Sequence, residues 1–260
     1  VAVALGSGAA KGFAHVGVLK VLAAQGVPVH MVVGSSAGSF VGSLYAYGFD
    51  PFTLQKMALS IERDDVADLG LPDSGFIKGD RLEAWVNRMV RNTPVESFRI
   101  PFYAVATDVR RGEEVVFGKG NAGQAVRASC AVPGVFRPVR IGTVLYVDGG
   151  VVSPVPVEAA RRQGADVVIA VDISGRGEEN PEPSGTIDVI LTAVNIMYGK
   201  LSERQLAGAD VVVRPKVGKI GSGDFTKRNE AILEGEKAAT EALPKIRAVL
   251  DRLRAEGRLP

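Results

Sequence analysis

The chain has 260 residues, 46% apolar and 23% charged, a length and balance that suit one globular domain with a sizeable core. Its 31 basic and 29 acidic residues leave a net charge of +2 and form no basic stripe or tail, which argues against nucleic-acid binding. The single cysteine, Cys130, excludes an intramolecular disulfide and a cysteine metal cluster, and no run of about 18 uninterrupted apolar residues is present to span a membrane.

In chain order, residues 1–5 form a short apolar run that ends in a glycine-rich turn at residues 6–12. Phe13, Val16, Gly17, Val21 and Leu22 then recur at helical spacing, and the pattern stops at Gly26. Residues 28–33 are a second apolar strand, residues 34–38 a second tight turn, and residues 37–47 a buried helix of small residues that ends at Gly48. Residues 50–94 are less regular and read as helices with loops; Asp80 is a plausible N-cap for a helix through Trp85 and Val90. Strands resume at 101–107 and 113–117 around an Arg111-Gly112 turn. A helix near 122–130 precedes Pro133-Gly134, and a short strand at 144–147 ends in Asp148-Gly149-Gly150. Residues 155–163 read as a helix, 166–171 and 210–214 as strands, and 187–206 and 228–255 as long helices. Such alternation, with glycine-rich turns after strands, predicts an α/β fold with a mainly parallel sheet covered on both faces. No linker or internal repeat divides the chain, so residues 1–260 are expected to form a single domain.

Two surface features carry two readings each. Arg81, Arg88, Arg91, Arg99, Arg110 and Arg111 are interleaved with acids, as on a solvated face, and would otherwise form a patch towards lipid headgroups. Ile187, Ile190, Leu191, Val194, Met197, Tyr198 and Leu201 make one apolar stripe; burial against the sheet is the expectation, peripheral membrane contact the alternative. The chain opens at Val1 within an apolar segment, so an upstream piece, including a targeting segment, is to be expected, and the location reads as cytoplasmic or peripheral membrane. Oligomeric state is not legible.

Gly34-Ser35-Ser36-Ala37-Gly38 matches G-x-S-x-G. That pattern places a nucleophilic serine on a sharp strand-to-helix turn, where side chains at the flanking glycines would clash, and where the helix N-terminus favours developing negative charge. The bland reading is a structural Gly/Ser turn, but the expected strand before it and helix after it supply the right context. A conventional triad would place its histidine after the acid, whereas His15 and His30 both precede Ser36. His30 falls at the start of the second strand, away from the turn, and His15 reads as a packing or supporting residue. Asp148, at a strand end before two glycines, is a candidate base, or else a turn or cap residue. A free aspartate has a pKa of about 3.9; burial beside the serine would raise it and make proton transfer workable.

Gly6-Ser7-Gly8-Ala9-Ala10-Lys11-Gly12 fits neither a dinucleotide fingerprint, because Lys11 stands where a third glycine belongs, nor a Walker loop, because Lys11 precedes Gly12. A compact turn before a helix can instead aim backbone N–H groups at an oxyanion.

Taken together, the 6–12 turn, Ala14-His15-Val16-Gly17-Val18-Leu19, the elbow, Ala106-Thr107-Asp108, the run 128–136 and Asp148-Gly149-Gly150 resemble the patatin-like phospholipases, above all their bacterial branch. The likeness covers about the first 175 residues well and the rest loosely. It implies a three-layer α/β/α patatin-like fold and a Ser–Asp dyad without histidine. Ser36 would be the nucleophile, Asp148 the base, Gly34 and Gly38 the elbow glycines, and the N–H groups near Ser7, Gly8 and Ala9 the oxyanion hole. It further implies a lipid or fatty-acyl ester substrate and no metal or organic cofactor. Ser7 and Ala9 stand where glycine is common in the family, so a left-handed backbone at either is less comfortable. Acyl transfer or thioester cleavage is one rival reading, which a panel of p-nitrophenyl esters, phospholipids and acyl thioesters separates; lipid binding without turnover is the other, which a labelled long-chain lipid that binds unchanged would support.

Overall fold

The computed structural model describes residues 1–68, 77–175, 178–179 and 181–259. Its centre is an eight-stranded sheet in the order β5-β6-β3-β2-β1-β7-β8, with β4 also paired to β3. The strands are β1 (Ala2–Leu5), β2 (Met31–Ser35), β3 (Phe102–Asp108), β4 (Glu113–Phe117), β5 (Val139–Ile141), β6 (Val144–Asp148), β7 (Val168–Val171) and β8 (Val211–Val213). The centre of the sheet is parallel, β1 pairing with β2 and β7, β2 with β3 and β7 with β8. The β4, β5 and β6 pairings are antiparallel.

The helices are α1 (Phe13–Ala24), α2 (Ala37–Tyr47), α3 (Pro51–Ser60), α4 (Arg63–Val66), α5 (Asp80–Met89), α6 (Ala122–Ser129), α7 (Val157–Arg162), α8 (Thr186–Leu206) and α9 (Arg228–Ala255). The period-two alternation of side chains sorts each central strand between two cores. Val3, Leu5, Val32, Phe102, Ile169 and Val171 pack with residues of α1, α2, α5, α6 and α9. Ala2, Ala4, Val33, Val105, Val168 and Ala170 pack with α7 and with Leu206 at the end of α8. Helices thus cover both faces, as the continuous apolar strands require. The result is the expected three-layer α/β/α architecture.

Several local readings change. The second strand starts three residues later than its apolar run and continues through Ser35, because β3 pairs with it as far as Val105 opposite Ser35. The three-residue β5 has too short an apolar pattern to be read and exists through its pairing with β6. Asp80 is not the cap of α5: Gly79 occupies that position with φ +84° and no side chain to offer. The cap comes from Asp68, whose carboxylate accepts from the N–H groups of Gly79, Asp80 and Arg81. That reach of more than ten residues is invisible to local pattern. The apolar stripe of α8 is only partly inward. Leu191 and Tyr198 are buried and Ile187, Ile190, Val194 and Leu201 half-buried, while Met197 is 60% exposed. No helix of the described residues is long and apolar enough to cross a membrane.

Candidate active site

The carboxyl ends of β1 and β2 lie side by side, and the turns leaving them converge there. Ser36 follows β2 directly, with φ +54° and ψ −123°, a left-handed-side conformation that costs a non-glycine residue about 1–3 kcal/mol. The surroundings hold it there. Its N–H donates to Ser129 Oγ at 2.9 Å, its carbonyl accepts from the N–H groups of Ser39 and Phe40, and Ser39 Oγ donates to the same carbonyl at 2.7 Å. Ser129 in turn donates to Val105 O of β3. A side chain at Gly34 would sit 2.4 Å from Gly38 O, and one at Gly38 would sit 2.0 Å from Leu5 O. Both glycines are therefore demanded by the approach of α2 to the ends of β1 and β2.

Asp148 ends β6 and is completely buried. Its Oδ2 accepts the Ser36 hydroxyl at 2.5 Å, and its Oδ1 accepts from Gly150 N at 2.7 Å and from the Tyr198 hydroxyl at 3.0 Å. Its backbone is also pinned: the N–H donates to Ala131 O, and the carbonyl accepts Thr107 Oγ1 at 2.8 Å. Burial raises the carboxyl pKa to about 6, with the donations from Ser36, Gly150 and Tyr198 opposing the rise. The aspartate thus caps the short turn after β6, as one of the two sequence readings has it, and with its other carboxylate oxygen accepts the serine hydroxyl.

The glycine-rich turn lies beside the serine. Ala9, Ala10 and Gly12 line the same cavity as Ser36. Ser7, however, is not a free donor: its N–H donates to Pro154 O at 2.8 Å, which removes it from the expected set of oxyanion donors. Its hydroxyl instead donates to Ser35 Oγ. Gly6 N is held by Val171 O, Ala10 N by Ser222 O and Lys11 N by Gly8 O. Of this turn, the Gly8 and Ala9 amides are left without a protein acceptor among the described residues. Ala9 has φ +51°, the left-handed angle that suits glycine better.

The two histidines stay out of the serine's reach. His15 is buried and donates from Nε2 to Gly6 O at 2.8 Å; burial lowers its pKa to about 4, so it stays neutral and props the glycine-rich turn. His30 is exposed beside the chain's first amino group. The Cys130 thiol lines the cavity, but burial and the nearby Asp148 push its pKa up, so it is not a thiolate.

The cavity over Ser36 measures about 190 Å³. Its walls come from Phe40, Leu54, Ile61, Trp85, Val135 and Leu191, among others, and no charged side chain of the described residues lines it. Much of the cover is drawn from the irregular stretch 50–94; residues 69–76 of that stretch lie outside the described residues. Three supporting side chains escape motif reading: Ser129, Thr107 and Tyr198. The first two sit in motifs with no obvious role. Tyr198 reads as one more apolar position, although a buried tyrosine amid aliphatic residues poses the question of where its hydroxyl goes.

Comparison with known proteins gives concordant results. The chain is 36% identical over 206 residues to Rv1063c of Mycobacterium tuberculosis, named as an uncharacterized NTE family protein, covering 78% of this chain and 56% of that one. It is 28% identical to the lysophospholipase NTE1 of Coccidioides immitis over 100% of this chain but 18% of that protein. The chain therefore spans about half, or less, of the length of these relatives. VipD from Legionella pneumophila has the same fold, with a TM-score of 0.57 at 13% identity over 94% of this chain and 66% of that one. A patatin-like phospholipase family model matches residues 3–161, more than half of the chain, and the protein belongs to that family.

Proposed function

We propose that this chain is a serine lipid acyl hydrolase, of phospholipase A or carboxylesterase type, that works through Ser36 and Asp148. The observation that carries the reading is the Ser36 Oγ–Asp148 Oδ2 hydrogen bond, with Ser36 in the wall of a cavity whose described lining is apolar or neutral. In the reaction, Asp148 accepts the hydroxyl proton while Ser36 Oγ attacks the ester carbonyl. The Gly8 and Ala9 amides take the developing oxyanion, and each such donor is worth about 10²–10³ in rate. Asp148 returns that proton to the alkoxide as the ester C–O bond breaks; water then attacks the acyl-serine while Asp148 takes its proton, and passes it to Ser36 Oγ as the carboxylic acid leaves. The acyl chain occupies the apolar cavity, and the leaving group stays outside it. Membership of the patatin-like phospholipase family, and a relative named as a lysophospholipase, support a lipid acyl ester as substrate.

The test is hydrolysis of p-nitrophenyl esters of increasing chain length, of phospholipids and of acyl thioesters, by the wild type and by Ser36→Ala and Asp148→Asn. Turnover of oxygen esters that is lost in both variants, each still folded, is the expected result. Near-wild-type turnover by Asp148→Asn would sink the dyad, and preference for thioesters would move the enzyme to another reaction class.

A further inference from the structure

We propose that Tyr198 is the positioning residue of the Ser36–Asp148 pair, its hydroxyl clamping one carboxylate oxygen so that the other faces the serine. The inference rests on the reading of Ser36 and Asp148 as nucleophile and base. Tyr198 comes from the middle of α8, 50 residues after Asp148 and beyond the residues 3–161 that carry the family match.

The seat for Tyr198 is built. A side chain at Gly150 would meet Tyr198 ring carbons at 2.3 and 2.4 Å, so the second glycine after Asp148 leaves room for the phenol ring. Gly150 also supplies the other donor to Oδ1, at 2.7 Å. One short turn thus makes space for the ring and shares its acceptor. Tyr198 is 5% exposed and does not line the cavity, so it has no direct part in holding the acyl chain.

What the clamp does follows from what surrounds the carboxylate. Ser36 faces it from the start of α2, Cys130 from just after α6, Tyr198 from α8, and Gly150 from its own turn. All four are neutral, and among the described residues no lysine, arginine or histidine bonds it. A buried carboxylate without a cation keeps its charge only through donated hydrogen bonds. Tyr198 is a durable donor because burial and the neighbouring Asp148 push its own pKa well above the ordinary phenol value. It stays protonated across the working range. With Oδ1 held by two donors, Asp148 cannot swing away from Ser36, and its ionised form is favoured over the neutral acid.

The test is the pH dependence of kcat and KM on a soluble p-nitrophenyl ester, for wild type, Tyr198→Phe and a protein with 3-fluorotyrosine at position 198. Asp148→Asn and Ser36→Ala are assayed in parallel. Phenylalanine keeps the ring in its seat and removes only the donor. The account expects the acid limb of the kcat profile to move up by about one pH unit in Tyr198→Phe, with KM within about twofold of wild type. Fluorotyrosine, a stronger donor, moves the limb the other way and carries the test even if Tyr198→Phe folds poorly. Acid limbs that superimpose in all three proteins would overturn the proposal, as would a rise in KM with the limb unmoved. Those results with an inactive Asp148→Asn leave the nucleophile–base pair standing and remove only Tyr198 from it. Turnover by Asp148→Asn at the wild-type rate would remove the pair itself.

Discussion

Replacing Asp148 by asparagine should make the protein more stable at pH 8 while destroying activity. The wild type carries an ionised carboxylate in a fully buried site, and burial raises its pKa to about 6 from an ordinary 3.8. A raised carboxylate pKa means the group favours folding while protonated. Its contribution is full below about pH 3.8 and is lost as the pH rises through about 6. At pH 8 the folded protein therefore bears the whole cost, about 3 kcal/mol at 1.36 kcal/mol per unit. Asparagine removes the charge and can keep the contacts. Its Oδ1 still accepts from Tyr198 and Gly150, and its amide can donate to Ser36 Oγ. For a chain of this size the gain corresponds to a melting temperature higher by roughly 5–10 °C. Differential scanning calorimetry on both proteins across the range tests it, the gap closing as pH falls from about 6 towards 4. His15 works in the opposite sense, its stabilisation present above pH 6.5 and lost towards about 4, but it is common to both proteins and cancels in the difference. An equal or lower melting temperature for the variant at pH 8, or a gap that ignores pH, would refute this reasoning.

Three further outcomes are expected. Ester hydrolysis by the wild type should fall on the acid side with a midpoint near pH 6, where Asp148 takes up its proton; a flat profile to pH 4.5 would contradict the base assignment. Ser129→Ala leaves Ser36 N and Val105 O without their partner, so denaturant titration should show a loss of about 1–3 kcal/mol. Slower labelling of Ser36 by a fluorophosphonate probe should accompany that loss as the elbow relaxes, and unchanged labelling would show that Ser129 does not hold the elbow. Ala9→Gly relieves the left-handed angle at φ +51° while keeping the N–H, so the melting curve should move up by about 0.5–1 kcal/mol with turnover retained. A loss of stability in that variant would mean the angle is not strained.

The parts of this protein written in local pattern were legible, and the parts written in long-range contact were not. The apolar strands, the 13–24 and 228–255 helices and the elbow follow from spacing and glycine placement, because period and steric demand act within a few residues. Ser36 and Asp148 stand out as candidates because each sits at a strand end beside glycines, while their roles as a pair are what the family resemblance implies. Their 2.5 Å approach across 112 residues, by contrast, depends on the β3–β6 pairing that no local signal carries. The loss of Ser7 as a donor has the same origin, since its N–H is captured by Pro154 O from far along the chain. Tyr198 was hidden by its own chemistry: an aromatic side chain in an apolar stripe looks like packing, and only the fold brings its hydroxyl to Asp148. The distant Asp68 cap of α5 was equally unreadable.

The most direct test of the central claim is intact-mass detection of a covalent adduct after treatment with a fluorophosphonate probe, on wild type and Ser36→Ala. An activated serine beside Asp148 predicts one adduct on the wild type and none on the folded variant. No adduct on folded wild type, or one that survives Ser36→Ala, would contradict the account.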